Sequence, residues 1–492
     1  MTQINTLSPA FEDNLFRLKD YLSCTTLYKN EINNLLHDLQ SSYTSPSELL
    51  DTLLRTQRII MIHESKCHED GDFYEFYSKN TLQRWHDYST PPVDNSLIQS
   101  LADKMYNLED EKENDYAMIQ TDEGVSSVVE YVVQRLVSEK KPWNISFKDQ
   151  PFKAALFDKI PDQGLEALAN CTLNIWKPVT KRIAIVPGLP ADNLPDINKD
   201  KDSKFQTLTK DIMERIRSGE IHFTLTCIPT ERDAEFDDIP YKDYLKLFFE
   251  MCDQPWDEID KAHQILIKQL NEGKILRFTN EDGTDLTMSI EGMTFANSLI
   301  ARNVPGSEVF SAPVKESVNG KVVAKGHFSP SGSYRGERIE DITLEFQDGK
   351  CISAHANKGN KILNDILDTD DGSRYVGEIG IGTNPHLKQR VANILLVEKI
   401  SGSFHIALGS AYNMTEYMGV PVKVDNGNKS QIHWDITTIL FEKQGNIYLD
   451  NELIMENGLY TNPLLHILNT GWESIPIDSR PDYWKNYKFS SH

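Results

Sequence analysis

At 492 residues, with 39 % hydrophobic and 25 % charged content, the chain has the make-up of a globular protein of two or three domains around sizeable cores. A net charge of −23 repels phosphate backbones, and no Lys/Arg stripe interleaved with aromatics offsets it, which argues against nucleic acid as a partner. No run approaches the roughly 18 uncharged apolar residues of a membrane span, and Met1 to Leu22 carries Glu12, Asp13, Arg17, Lys19 and Asp20 with no apolar stretch, so a cytoplasmic protein without membrane contact is expected.

Residues 1–120 are polar and rich in helix formers, with Ile32, Leu35, Leu36 and Leu39 at helical spacing, and predict a helical N-terminal extension. Within it His63, Cys67 and His68 lie close in sequence, but no second set of matching ligands follows, and they read as a solvated helix face. Val125, Val128, Val129, Val132, Leu136 and Val137 form one stripe after Thr121-Asp122, a capping pair, and predict an amphipathic helix. Two β-type runs, Arg182–Val186 and Ile221–Ile228, flank a helical pattern from Phe205 to Ile216, and this alternation predicts an α/β domain over 121–290. A helix from Asp257 to Asn271 buries Ile259, Ala262, Leu266 and Leu270 and stops at Gly273. The period then changes from 3.6 to 2, with Leu276 and Phe278 on one strand, a turn at Glu281-Asp282-Gly283, and Leu286, Met288 and Ile290 on the return. Short β-runs and one helix near Lys358–Leu367 follow, so residues 291–492 read as a β-rich domain and the whole as a mixed α/β protein. The six cysteines (Cys24, Cys67, Cys171, Cys227, Cys252, Cys351) form no C-x-x-C pair and are expected as free thiols.

Chemistry-bearing residues crowd into five motifs between 304 and 435. They are Val304-Pro-Gly-Ser-Glu308-Val-Phe, Val376-Gly-Glu378-Ile-Gly-Ile-Gly, Glu398-Lys-Ile-Ser-Gly, Phe404-His405-Ile-Ala-Leu-Gly with Tyr412 beyond, and Ile432-His433-Trp-Asp435. A strand's period puts His433 and Asp435 on one face, where imidazole and carboxylate can share a metal. Glu308, Glu378 and Glu398 suffice to add a second ion, and such a pair activates water while polarising a carbonyl. Each motif alone is weak; their joint occurrence carries the reading. Tyr412 lies seven residues beyond His405, across what reads as a turn at Ala407-Leu-Gly409, so that its hydroxyl returns to the same pocket.

From Ile216 to Tyr448 these residues resemble the two-metal exopeptidases of the aminopeptidase T and aminopeptidase S type. The likeness rests on Gly219-Glu-Ile-His-Phe-Thr-Leu-Thr, Asp285-Leu-Thr-Met-Ser-Ile-Glu-Gly, Gly377-Glu-Ile-Gly-Ile-Gly-Thr-Asn-Pro and Glu398-Lys-Ile-Ser-Gly-Ser-Phe-His-Ile-Ala-Leu-Gly. It implies Glu308, Glu378, Glu398, His405, His433 and Asp435 as metal ligands, Tyr412 and Glu308 as catalytic groups, and two divalent ions, zinc, cobalt or manganese. It further implies cleavage of a peptide or small amide next to a free N-terminus, and a homodimer. The chain departs from the family at Val397, where Asp is common, in an inserted Tyr417–Val424 within the loop Asn413–Lys429, and in its first 120 residues and the tail after Tyr460. Two rivals stand beside this reading. His405, His433 and Asp435 alone satisfy a one-iron(II) facial triad, as in a dioxygenase that opens a dihydroxypyridine ring, and a recruited scaffold would keep the fold without the reaction.

Overall fold

The computed structural model describes residues 46–67, 70–73, 76, 93–106, 115–122, 127–139, 141–189, 194–330, 334, 336–441 and 443–489. The expected helix over Ile32–Leu39, together with Cys24, His68 and Val125, lies outside the described residues. The chain divides into two compact units, Met1–Pro92 with Leu101–Thr226, and Val93–Ser100 with Cys227–His492.

The first unit is built on helix α1 (Pro46–Glu64), strand β1 (Ala117–Asp122), α2 (Ser127–Ser138), β2 (Trp143–Lys148), α3 (Gln150–Lys159), α4 (Asp162–Trp176), β3 (Lys181–Pro187), α5 (Lys199–Leu208), α6 (Lys210–Arg217) and β4 (His222–Ile228). Its sheet has the order β2-β1-β3-β4, with β1 parallel to both neighbours. Parallel strands are joined by crossovers that cover both sheet faces, which is why β1 buries consecutive residues Ala117, Met118 and Ile119. Thr121-Asp122, expected as a cap, ends strand β1. The expected helix over Phe205–Ile216 is two helices that meet at Thr209, whose hydroxyl and N–H both donate to Phe205 O, at 2.9 and 3.0 Å. Cys67 is buried beside Ile62 and Phe73, so this stretch is packed, contrary to the solvated face its polarity suggests.

The second unit follows with α7 (Tyr241–Cys252), α8 (Trp256–Glu272), β5 (Ile275–Thr279), β6 (Asp285–Ser289), β7 (Ala296–Ser298), β8 (Glu308–Ser311), β9 (Asn319–Phe328), β10 (Ile339–Gln347), β11 (Lys350–Lys358) and α9 (Asn360–Leu367). Then come β12 (Val376–Gly382), β13 (Ser403–Gly409), β14 (Glu416–Tyr417), β15 (Val420–Pro421), β16 (His433–Ile439), β17 (Asn446–Leu449), β18 (Glu452–Glu456) and β19 (Leu459–Tyr460). An eight-stranded sheet runs β11-β10-β9-β6-β5-β17-β18-β19 and a five-stranded sheet β16-β13-β12-β8-β7. The β-rich domain is expected to start near residue 290, yet β5 and β6, which precede that point, are central strands of the larger sheet.

One continuous core joins α8 to both sheets. Ile259, Ala262, Leu266 and Leu270 of α8 pack with Phe278 and Leu286 of the large sheet and with Ile379, Phe404, Ile406 and Ile436 of the small one. Phe278 and Phe404 stack at 4.1 Å between ring centres. Among the described residues no helix is long and apolar enough to cross a membrane. Phe404→Ala is expected to lower unfolding free energy by about 3–5 kcal/mol, through lost burial and the cavity left against Phe278. Denaturant unfolding measures this, and a loss under about 1 kcal/mol would mean the two sheets do not depend on that contact.

Candidate metal centre

The five-stranded sheet sorts its side chains by parity. Val309 of β8, Ile379 and Ile381 of β12, Phe404, Ile406 and Leu408 of β13, and Trp434 and Ile436 of β16 all point into the core. The intervening residues, Glu308, Glu378, His405, His433 and Asp435, therefore share the opposite face. Register brings them close: Glu308 pairs with Gly382, Glu378 with Ala407 and Ala407 with Asp435, Gly380 with His405, and Gly409 with His433. The partners are small, which leaves a floor on which the acids and imidazoles converge.

Two of the glycines have a steric reason. A Cβ at Gly380 would collide with the imidazole of His405, and one at Gly382 with the carbonyl of Ile400, beside that of Glu398. The Gly-Ile-Gly run thus lets His405 lie flat over β12 and lets the 3-10 turn Val397–Lys399 approach it.

Donor atoms of Glu308, Glu378 and His405 lie within 4.8 Å of one another, as do those of Glu378, His433 and Asp435, so Glu378 belongs to both clusters. His405 Nε2 is 3.6 Å from both Glu308 Oε2 and Glu378 Oε1, beyond hydrogen-bond reach. His433 Nε2 is 3.1 Å from Glu378 Oε2 and 3.8 Å from Asp435 Oδ1. His433 Nδ1 donates to Ser410 O, 2.8 Å, which in the neutral ring leaves Nε2 as the acceptor facing the acids. Among the described residues Glu308 Oε2, His405 Nε2 and Asp435 Oδ1 are buried without a hydrogen-bond partner. Leaving such atoms unsatisfied costs about 1–3 kcal/mol each or more, and a bound cation removes that cost. Oxygen and imidazole donors without thiolate suit zinc, cobalt or manganese.

Glu398 stands apart from both clusters. Its Oε2 accepts from Lys399 Nζ at 2.5 Å, and the same ammonium reaches Glu308 Oε1 at 2.6 Å. Lys399 is wholly buried, and although it sits inside a quoted motif, a search confined to acids and imidazoles passes over it. Glu308, Glu378, Glu398 and Asp435 outnumber the single ammonium of Lys399 in a site that is largely, though not wholly, shielded from water. Burial opposes ionisation of Glu378, yet the neighbouring imidazoles of His405 and His433 favour its charged form and hold it at about 2. Burial likewise opposes charging of the imidazoles, but the carboxylates lift His405 to about 9 and His433 to about 10. Glu398 is pushed well up by burial and by Asp435 and Glu308, with Lys399 opposing. The negative charge of the site thus favours positive charge in its midst, whether protons or a cation.

Tyr412 is 36 % exposed, its ring packed on His433 at 5.2 Å and on Phe310 at 5.4 Å. Residues Ala407–Gly409 are still strand β13, so the expected turn there is displaced; the chain bends at Ser410-Ala411, tied to Ile432 O and Asn428 O. The inserted loop forms the hairpin β14–β15, its two-residue turn Met418-Gly419 at positive φ as hairpin twist demands. It places Tyr417 edge-on against Phe310 at 5.3 Å, adding an aromatic wall.

Beneath Glu308 lies a network that the sequence does not announce. His263 of α8 donates from Nδ1 to Asn297 Oδ1, 2.7 Å, because the Asn297 amide nitrogen is held by Asp260, so Nε2 accepts from Thr383 Oγ1, 2.7 Å. Thr383 Oγ1 also lies 2.6 Å from Ser307 Oγ, and its N–H donates to Ser307 O, clamping the residue before Glu308 to the end of β12.

Residues 98–460, 363 of the 492, match the family of thermophilic metalloproteases (M29), and the chain belongs to that family. The match ends at the tail the sequence left unassigned but starts well upstream of Ile216. The chain is 29 % identical over 202 residues to aminopeptidase AmpS of Bacillus subtilis (strain 168), covering 38 % of this chain and 48 % of that protein. It is 31 % identical over 196 residues to aminopeptidase T of Thermus aquaticus, covering 37 % and 47 %. In sequence it thus spans about half the length of these relatives. Its fold is similar to wild-type AmpT from Thermus thermophilus, with a TM-score of 0.59 at 20 % identity over 75 % of this chain and 100 % of that one.

Gly380→Ala is expected to displace His405 and to at least halve the metal held per folded chain, while the fold survives an overpacking cost of about 1–3 kcal/mol. Elemental analysis beside circular dichroism checks this; full metal content in the variant would mean that the seat of His405 is not needed.

A second expectation concerns His263, which burial lowers from 6.5 to about 4, only partly opposed by Asn297 and Asp260. The unfolded imidazole takes up a proton below 6.5 while the folded one stays neutral down to about 4, so stability is complete above pH 6.5 and falls between 6.5 and 4, by about 3 kcal/mol. Unfolding free energies across that window should decline more steeply in the wild type than in His263→Gln; equal slopes would show that His263 is not the group responsible.

Proposed function

We propose that this chain is a metal-dependent aminopeptidase-like hydrolase that cleaves the peptide or small amide bond next to a free N-terminus, using two divalent ions. The observation that carries the reading is the pair of donor clusters sharing Glu378. A one-iron triad would draw on His405, His433 and Asp435, which are divided between the clusters. The names of the relatives, aminopeptidases, support the substrate class.

In this reading Glu308, Glu378 and His405 hold one ion, Glu378, His433 and Asp435 the other, and Glu398 completes the set from its place on Lys399. Bound divalent ions supply Lewis acidity and an activated water. Lys399 holds two of the four carboxylates in place, and Ser410 O fixes the tautomer through which His433 binds. Glu308 accepts and returns the proton that passes from water to the leaving amine. Tyr412, whose hydroxyl is pushed well above its ordinary range by local desolvation and by Glu378, Glu398, Asp435 and Glu308 around it, donates that hydroxyl to the developing oxyanion. Phe310, Tyr412 and Tyr417 form the wall against which the substrate side chain rests. A homodimer in the cytoplasm belongs to the same proposal.

Purified protein should hold close to two divalent ions per chain. A chelator should abolish hydrolysis of an amino-acid amide, and zinc, cobalt or manganese should restore it. Tyr412→Phe should lower kcat about a hundredfold, the weight of one oxyanion donor, at unchanged metal content. One iron per chain with oxygen-dependent ring cleavage would replace this reading, and a fully loaded chain without hydrolysis would leave the scaffold.

A further inference from the structure

The second unit contains a cavity of about 480 Å³ that none of the six proposed ligands lines. In a chain with 74 acidic and 51 basic residues, its charged lining is inverted: Lys325, Lys388, Arg390 and Lys443 face it against one acid, Asp282, among the described residues. Two of these lysines are partly compensated. Lys443 lies 3.8 Å from Asp282 and Lys325 lies 3.5 Å from Asp341. Arg390 and Lys388 have no ion pair among the described residues.

Arg390 is held in place by the chain. Its Nη2 donates to Thr437 O of β16, 2.8 Å, and its guanidinium lies 4.5 Å over the ring of Phe328. It crosses β9 at Gly326, where φ is +100° and a Cβ would strike the arginine stem. Gly326 N–H in turn donates to Asp341, 2.9 Å, which fixes that unusual backbone. Nη1 is left buried with no hydrogen-bond partner. Burial lowers Arg390 to about 10, with Asp237 and Asp341 opposing, and lowers Lys388, with Glu473 opposing. A guanidinium fixed in the wall of a cavity that Lys388 also lines, with basic residues outnumbering acids around it, suits a planar or tetrahedral oxyanion. The remaining wall, Val323, Ile439 and Phe441, is apolar.

We propose that this cavity binds a small organic anion, a carboxylate or phosphate carried on an apolar body, with Arg390 and Lys388 as its charged contacts. The site is separate from the hydrolytic centre, and its argument does not rest on the reaction assigned there.

Isothermal titration of the metal-loaded full chain at fixed ionic strength, with benzoate, phenyl phosphate and neutral benzamide as probes, tests it. One-site saturable binding of benzoate or phenyl phosphate, and none of benzamide, is expected; the tighter of the two anions identifies carboxylate or phosphate as the group recognised. Lys388→Ala should weaken binding at least about tenfold. Arg390→Lys, which keeps the charge and loses the fork, should do likewise, with circular dichroism verifying that each variant is folded. Glu378→Gln, in the metal centre, should leave binding unchanged. No saturation by either anion up to about 10 mM, equal affinity in folded Lys388→Ala and wild type, or loss of binding in Glu378→Gln would overturn the proposal.

Discussion

Strand parity in the five-stranded sheet is the constraint on which the rest depends. A strand offers its side chains alternately to two faces, and along β8, β12, β13 and β16 one face is filled by Val309, Ile379, Ile381, Phe404, Ile406, Leu408, Trp434 and Ile436. Their burial, worth about 1.5–3 kcal/mol each for the larger side chains, fixes the register, because a slip of one residue would exchange the core and the chemistry. The gathering of Glu308, Glu378, His405, His433 and Asp435 follows from the same alternation. The hydrophobic core is thus what holds the acids together against their repulsion.

That repulsion is the main cost of the design. Carboxylates crowded away from water must be compensated; the chain does so locally with Lys399 between Glu308 and Glu398, and the remaining negative charge favours the charged forms of His405 and His433. Orphaned donors on Glu308, His405 and Asp435 show that compensation by the protein alone is incomplete. The His263–Thr383–Ser307 clamp and the glycines at 380 and 382 then set where the donors stand, the first by hydrogen bonding and the second by leaving room.

Much of this was legible in the sequence where a short-range rule applied. The spacing His433-x-Asp435 placed two donors on one face, the alternation from Leu276 to Ile290 gave the hairpin β5–β6, and Gly273 marked the end of α8. What escaped depends on contacts distant in the chain. Lys399 reads as an ordinary surface lysine until the fold closes over it, and His263 meets Thr383 across 120 residues. Thr121-Asp122 has the composition of a cap but the company of a parallel strand. The two helices that meet at Thr209 share one apolar periodicity, so periodicity does not register the junction. The sheet ignores the boundary expected near residue 290 because β5 and β6 pair with β17 and β9, strands from later in the chain.

The central claim is that one face of this sheet holds two cations through a shared Glu378. Anomalous diffraction from crystals of the zinc-loaded protein, recorded on both sides of the zinc edge, tests it most directly. The account predicts two peaks, one among Glu308, Glu378 and His405 and one among Glu378, His433 and Asp435, with Lys399 still bridging Glu308 and Glu398. A single peak, or zinc bound away from this face, would contradict it.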